Sequence, residues 1–254
     1  MPCPLPPGEV TRVVSLVPSL TEAVAATRPH ALVGATEWCT HPADLDVRRV
    51  RGTKNPDVAA IIELAHASPE PLLVVANKEE NRELDVRRLR DAGVAVWVTV
   101  IEDVQQALTS MIRLFEEALG WGVPGWLEHA ARLWSSPAAA PVARVAVPIW
   151  RDPWMVVGSA TFTGDLLARA GIGNAFAEHA ERYPHVDLAD IDRADLDAVL
   201  LPDEPYVFTA ADGPEAFTQV PTHLVSGRLI TWYGPSLIEA RGVLDSLASE
   251  LADH

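Results

Sequence analysis

Apolar and polar positions along the chain change over in blocks. RVVSLVPS (12–19) is a continuous apolar run ending in turn chemistry, the pattern of a strand buried on both faces. ALVGAT (31–36), PLLVVAN (71–77) and VAVWVTV (94–100) repeat it, with helical spacings near 57–67 and 81–92 between them, the latter stopped by Gly93. A further helix is expected directly after the first strand, where Ser19 and Glu22 stand at capping-box spacing. Strands separated by helices of this length predict a parallel sheet with right-handed crossovers.

From 101 to 119 the pattern is helical. GWGVPG (120–125) breaks it, a second helix is expected over 126–134, and SSPAAAP (135–141) has no periodicity. The alternation then restarts with strand-like ARVAVPIW (143–150), DAVLLPD (197–203) and RLITWYG (228–234), and helices near 161–170 and 235–252; GIGN (171–174) reads as a helix stop. The expected fold class is α/β: two lobes with mainly parallel sheets, 1–120 and 142–254, joined by a bridging helix and linker over 121–141.

Composition narrows the function classes. The chain has 254 residues, 48% of them hydrophobic, which suits folded lobes with packed cores. Its formal charge of -15 repels phosphate backbones and anionic lipid heads, and the basic stretches at 47–54 and 85–91 are flanked by carboxylates, so nucleic acid is not an expected partner. Cys3 and Cys39 cannot form a disulfide framework. The sequence as written has no basic start followed by an apolar run, and none precedes Cys3 to make a lipid-anchored reading work. A cytoplasmic location without membrane insertion is expected, since no apolar stretch reaches spanning length.

In open parallel sheets, ligands bind beyond the carboxyl ends of strands. The loops there are Ser19, TEWCTHP (36–42), NKEENR (77–82), WRDPWM (150–155), PDEPY (202–206) and TWYG (231–234), with GTKNP (52–56) opening a helix. Facing lobes would bring these loops to one cleft. Glu37, Cys39 and His41 at i, i+2 and i+4 share a side if the segment is extended, a donor set suited to zinc; the plainer reading is a buried thiol beside a loop histidine. Trp150, Trp154, Tyr206, Trp232 and Tyr233 fall at expected strand ends of the second lobe, as a wall for a planar ligand or as core. Arg151 is either a salt-bridge partner of Asp152 or a fork for a ligand anion. Lys78 and Asn81 fit a polar rim as well as a helix start, whereas Glu79 and Glu80 fit the helix start better. There is no GxSxG, P-loop or HExxH, and no GxGxxG following an expected strand.

The order of a strand with PSLTE, then GTKNP, PLLVVANKEEN, a helical connector, RVAVPIWRDPWMVVG, RYPHVDLADI and ITWYG resembles the TroA-type helical-backbone substrate-binding proteins over about 12–252. CTHP, GTKNP, ANKEENR, WRDPWM and WYG resemble their leaderless vitamin B12-binding-like relatives. The resemblance implies two α/β lobes bridged by a helix and non-enzymatic binding of a bulky metal chelate between them. That chelate would be a cobalamin or other corrinoid, or alternatively a ferric siderophore or haem, and no cofactor is required. The ligand residues it implies are Ser19, Thr53, Lys54, Asn55, Lys78 and Asn81 in the first lobe, and Trp150, Arg151, Trp154, Tyr206, Trp232 and Tyr233 in the second. It also implies an aromatic near GTKNP, where this chain has Lys54, and a permease-docking Glu on each lobe of an ABC importer component, where it has Ala59 and Ala189 with Asp57, Asp187 and Asp190 close by. The rival reading is a metal-dependent enzyme using Glu37, Cys39 and His41 with Asp152 or Glu204 as acid or base.

Overall fold

A computed structural model describes residues 8–138 and 140–253; Cys3, considered above for lipid anchoring, lies outside the described residues. The chain divides into two compact units. One runs up to Ile101 and adds Gln105–Ala130 and Tyr233–Pro235; the other comprises Glu102–Val104, Ala131–Trp232 and Ser236 onward.

The first unit contains β1 (Arg12–Ser15), α1 (Pro18–Thr27), β2 (Leu32–Ala35), β3 (Arg48–Arg49), the hairpin β4 (Arg51–Gly52) and β5 (Asn55–Pro56), α2 (Val58–His66), β6 (Leu72–Asn77), α3 (Glu83–Asp91), β7 (Ala95–Thr99) and, except for its first residue, α4 (Val104–Arg113). Five strands form a parallel sheet ordered β3-β2-β1-β6-β7, with Val14 opposite Val74 and Val74 opposite Val96. β6 is buried at every position, as its unbroken apolar run implies. Val14, Leu16, Ile61, Val74 and Leu89 belong to the core between this sheet and its helices. α1 starts earlier than the capping-box spacing predicts. Pro18 occupies the first turn, where its missing N–H leaves no orphan, and Ser19 and Glu22 are buried within the helix without a side-chain cap. Asp57 does cap α2, accepting from the Ala60 amide at 3.1 Å. After α4 comes one π-helical turn, Leu114–Ala118, and α5 (Gly125–Leu133) carries the chain into the second unit.

The second unit contains β8 (Ala143–Ala146), β9 (Pro148–Trp150), β10 (Met155–Val156), α6 (Phe162–Arg169), β11 (Ile172–Asn174), α7 (Leu188–Ile191), β12 (Ala198–Pro202), β13 (Thr222–Val225), α8 (Gly227–Thr231) and α9 (Ser236–Ala252). Its parallel sheet is ordered β11-β8-β12-β13, while β9 and β10 form a small antiparallel pair. Two expectations are corrected here. GIGN does end a helix, with Gly171 at φ +79, but residues 172–174 go on as an edge strand. The run 228–234 is not a strand: the strand is β13, and α8 follows it. Asp203 Oδ1 takes the Gly227 amide at 2.6 Å, and a Cβ at 227 would lie 2.8 Å from the Glu204 carbonyl oxygen, so glycine admits this close approach and the helix starts there. Among the described residues, no helix is long and apolar enough to cross a membrane.

Candidate ligand-binding loops

Both sheets are doubly wound, and each has one topological switch point. In the first, β1 leads toward β2 and β6 toward β7, so the crevice opens at the carboxyl ends of β1 and β6; in the second, β8 and β12 diverge in the same way toward β11 and β13. Loops at such a divergence have no crossing helix above them, and ligands settle there. In the first unit these are the start of α1 and residues 77–82. In the second they are the β9–β10 turn and residues 203–213.

At the first switch point the polar residues largely hold one another. Asn81 is buried, and its side chain joins three segments: Nδ2 donates to the Thr53 carbonyl at 2.9 Å and the Leu16 carbonyl at 3.3 Å, and Oδ1 accepts from the Asn77 amide at 2.9 Å. Asn77 in turn accepts from the Glu79 amide at 2.8 Å and donates to Thr99 Oγ1 at 3.1 Å. Asn81 is thus a clamp on the hairpin rather than an open rim group. Lys54 is exposed at the hairpin tip and donates to the Glu79 carbonyl; Asn55 and Lys78 are exposed and Thr53 half-buried. Burial raises the Glu80 carboxyl above its usual range, partly offset by Lys54.

Ser19 is buried, and so is Tyr233, which packs with the first unit and not, as expected, with the second. A Cβ on Gly234 would stand 2.9 Å from the Ser19 carbonyl oxygen, so Gly234 permits the 233–235 segment to lie against α1. Burial, then the charges of Glu80 and Glu79, push the Tyr233 phenol well above its ordinary pKa, against the Thr99 and Ser19 hydroxyls beside it.

The metal-ligand reading of Glu37, Cys39 and His41 is overturned by backbone shape. Residues 36–40 form a turn, with the Cys39 amide donating to the Thr36 carbonyl at 3.2 Å, so the shared side expected of an extended segment is lost. Glu37 and His41 are exposed. Cys39 is fully buried between Thr21 Oγ1 at 2.9 Å and Thr36 Oγ1 at 3.1 Å, and burial raises its thiol pKa. Among the described residues, no group of three or more His, Cys, Asp or Glu is placed to hold a metal ion. Arg49 fastens this loop through the carbonyls of Thr36, Cys39 and Leu45 at 2.9–3.0 Å. The same loop exposes Trp38, 66% accessible, whose Nε1 lies 3.4 Å from where a Gly52 Cβ would be. The resemblance implies an aromatic near GTKNP, where Lys54 stands; the indole beside that hairpin is Trp38, from the preceding loop.

In the second unit the five proposed rings separate. Trp154 is 8% exposed and belongs to the core, stacked on Phe208 with centroids 6.0 Å apart and edge-on to Phe217 at 5.5 Å. Trp232 is buried at the end of α8. Those two, with Tyr233, present little surface. Trp150 remains 46% exposed and meets Tyr206 edge-to-face at 5.5 Å, joining the two switch-point loops; Tyr206 continues to Phe208 at 4.7 Å. Arg151 already has its partners: Asp212, Glu215 at 2.7 Å, Asp152 at 3.5 Å and the Trp154 ring face at 5.3 Å. These carboxylates raise its pKa, Glu215 most. The Tyr206 hydroxyl donates to Asp212 at 2.8 Å, and this bond raises its own pKa. The salt-bridge reading of Arg151 therefore describes the geometry, whereas a free anion fork does not. The aspartates near Ala59 and Ala189 are engaged as well: Asp57 caps α2 and pairs with Arg51 at 3.4 Å, and Asp190 accepts from the Asp187 amide at 3.2 Å.

No protein-family model and no curated protein sequence matches the chain. Solved structures do. The periplasmic vitamin B12 binding protein BtuF of Vibrio cholerae superposes with a TM-score of 0.73 at 15% identity, over 98% of this chain and 100% of that one. A periplasmic haem-binding protein from Pseudomonas aeruginosa gives 0.72 at 21% identity over 93% and 92%. The periplasmic haem-binding protein RhuT from Roseiflexus sp. RS-1 gives 0.70 at 19% identity over 96% and 98%. At these identities the likeness is one of fold: the chain has the mixed α/β, mainly parallel architecture of two-lobe periplasmic substrate-binding proteins.

Proposed function

We propose that the chain binds a bulky metal chelate without covalent chemistry, a corrinoid first among the candidates, through the loops at the carboxyl ends of its parallel strands. The observation that carries this reading is the exposed Trp150 indole braced by Tyr206 at the switch point of the second sheet. It is an aromatic ledge where doubly wound folds take ligands. The fold supports it, because structures of the same architecture carry names that state vitamin B12 or haem binding. So does the first unit, where Trp38 stands exposed beside a hairpin clamped by Asn81. The chemistry of the loops favours holding over reacting: Arg151 is paired with Asp152, Asp212 and Glu215, and burial raises the pKa of the Cys39 thiol, which disfavours the reactive thiolate.

Titrating the protein with cyanocobalamin, haemin and a ferric chelate while following tryptophan fluorescence tests this. A strongly absorbing macrocycle on the Trp150 ledge quenches emission saturably; the absence of saturable quenching by all three contradicts the proposal.

A further inference from the structure

The second switch point has a sign. Five carboxylates stand on its loops and the short helical turn that follows them, Asp152, Asp203, Glu204, Asp212 and Glu215, against one guanidinium, Arg151. Geometry sharpens the imbalance. The Arg151 side chain is only 18% exposed and is held by Asp212 and Glu215, while its partners face solvent, Asp152 at 84% and Glu215 at 52%. A molecule lying on Trp150 and Tyr206 therefore meets acceptors and negative charge, not the guanidinium. The first switch point likewise has no excess of positive charge: the chain's two lysines, Lys54 and Lys78, stand there beside Glu79 and Glu80, and Lys54 already donates to the Glu79 carbonyl.

From this we infer that the chelate bound on the Trp150–Tyr206 ledge carries hydrogen-bond donors such as amides, and no carboxylates, on its periphery. Ionised carboxylates only accept hydrogen bonds, so the ligand edge has to donate, and a carboxylate placed there meets like charge. This inference rests on the proposed chelate binding and selects within it. It favours an amide-decorated corrinoid over a porphyrin with free propionates or a carboxylate siderophore.

A matched pair of probes separates charge from shape: dicyanocobinamide, whose side chains are amides, and dicyanocobyrinic acid, the same macrocycle bearing carboxylates. The full chain is expected to bind the amide form at least about tenfold more tightly. The gap should narrow in about 0.5 M sodium chloride, which screens exposed charges. It should narrow too in Asp152→Asn/Glu215→Gln, which leaves Asp212 to hold Arg151 and Tyr206; Asp152 sits at φ +59, a conformation asparagine tolerates. Equal or tighter binding of the carboxylate form overturns the inference while chelate binding stands. Binding of haemin with neither corrinoid bound also overturns it alone, and binding of none of the three overturns both.

Discussion

The two units share one winding and differ in what covers their switch points. In the first, a polar side chain does the joining: Asn81 ties the end of β1, the hairpin tip and the end of β6, so the rim is set by hydrogen bonds to backbone. In the second, rings do it, running from exposed Trp150 through Tyr206 and Phe208 to buried Trp154, with the Arg151 cluster along the flank. A shared winding thus sets where the switch-point loops lie but not what covers them. The aromatic ledge exposes a broad apolar surface, whereas the amide clamp fixes the backbone of its hairpin.

If that contrast is right, the inner end of the ladder carries stability and the outer end does not. Trp154→Ala should cost about 3–5 kcal/mol by chemical denaturation, the range for deleting a large core aromatic. Trp150→Ala should cost less than about 0.5 kcal/mol, as for an exposed residue. Comparable losses at both positions would show that the ledge is simply core.

The second unit has its own buried clamp, at the opposite end of its sheet. Asp192 accepts from the amides of Thr218, Gln219 and Val220 at 2.8–3.2 Å just before β13. Burial alone would raise its carboxyl, but the amides of Gln219 and Thr218, then the Thr218 hydroxyl and the Val220 amide, outweigh burial and hold it below its ordinary value. A carboxyl depressed by folding stabilises above its unfolded pKa, and that stabilisation fades as pH falls through the folded one. Asp192→Asn should therefore cost about 2–3 kcal/mol at neutral pH, with the gap to wild type closing below about pH 4. A gap that stays constant down to about pH 2.5 would show that the charge plays no part.

Asn81→Ala gives a smaller expected loss, about 2 kcal/mol, for leaving the buried Asn77 amide and the Leu16 carbonyl without their partner. It should also loosen the hairpin tip, read as faster amide exchange at Thr53–Asn55. Unchanged exchange would mean the hairpin is positioned by other contacts.

What could be read from residues alone follows the physics of burial. β6, β7 and β12 are legible because strands covered on both faces are continuous apolar runs. Residues 229–233 (LITWY) are also mostly apolar, and such a run fits a buried helical turn as well as a strand; the deciding contact, Asp203 to the Gly227 amide, comes from 24 residues away. Two-residue strands such as β3 and β10 are too short to carry a period. At the site, a place after a strand was visible but depth was not: Trp150 and Trp154 share a turn, yet one is exposed and the other packs on Phe208 and Phe217. The role of Asn81 was hidden because its partners lie 28 and 65 residues away. Trp38 had a signal, an indole in a post-strand loop, but the turn that exposes it is held by Arg49 from β3.

The most direct test of the central claim is the dissociation constant of the wild-type chain and of Trp150→Ala for cyanocobalamin, determined by equilibrium dialysis with the thermal midpoint followed in parallel. Affinity should fall by at least about fivefold, the order of one lost aromatic contact of about 1 kcal/mol, while the midpoint stays put. Unchanged affinity at an unchanged midpoint would contradict a ligand resting on that ledge.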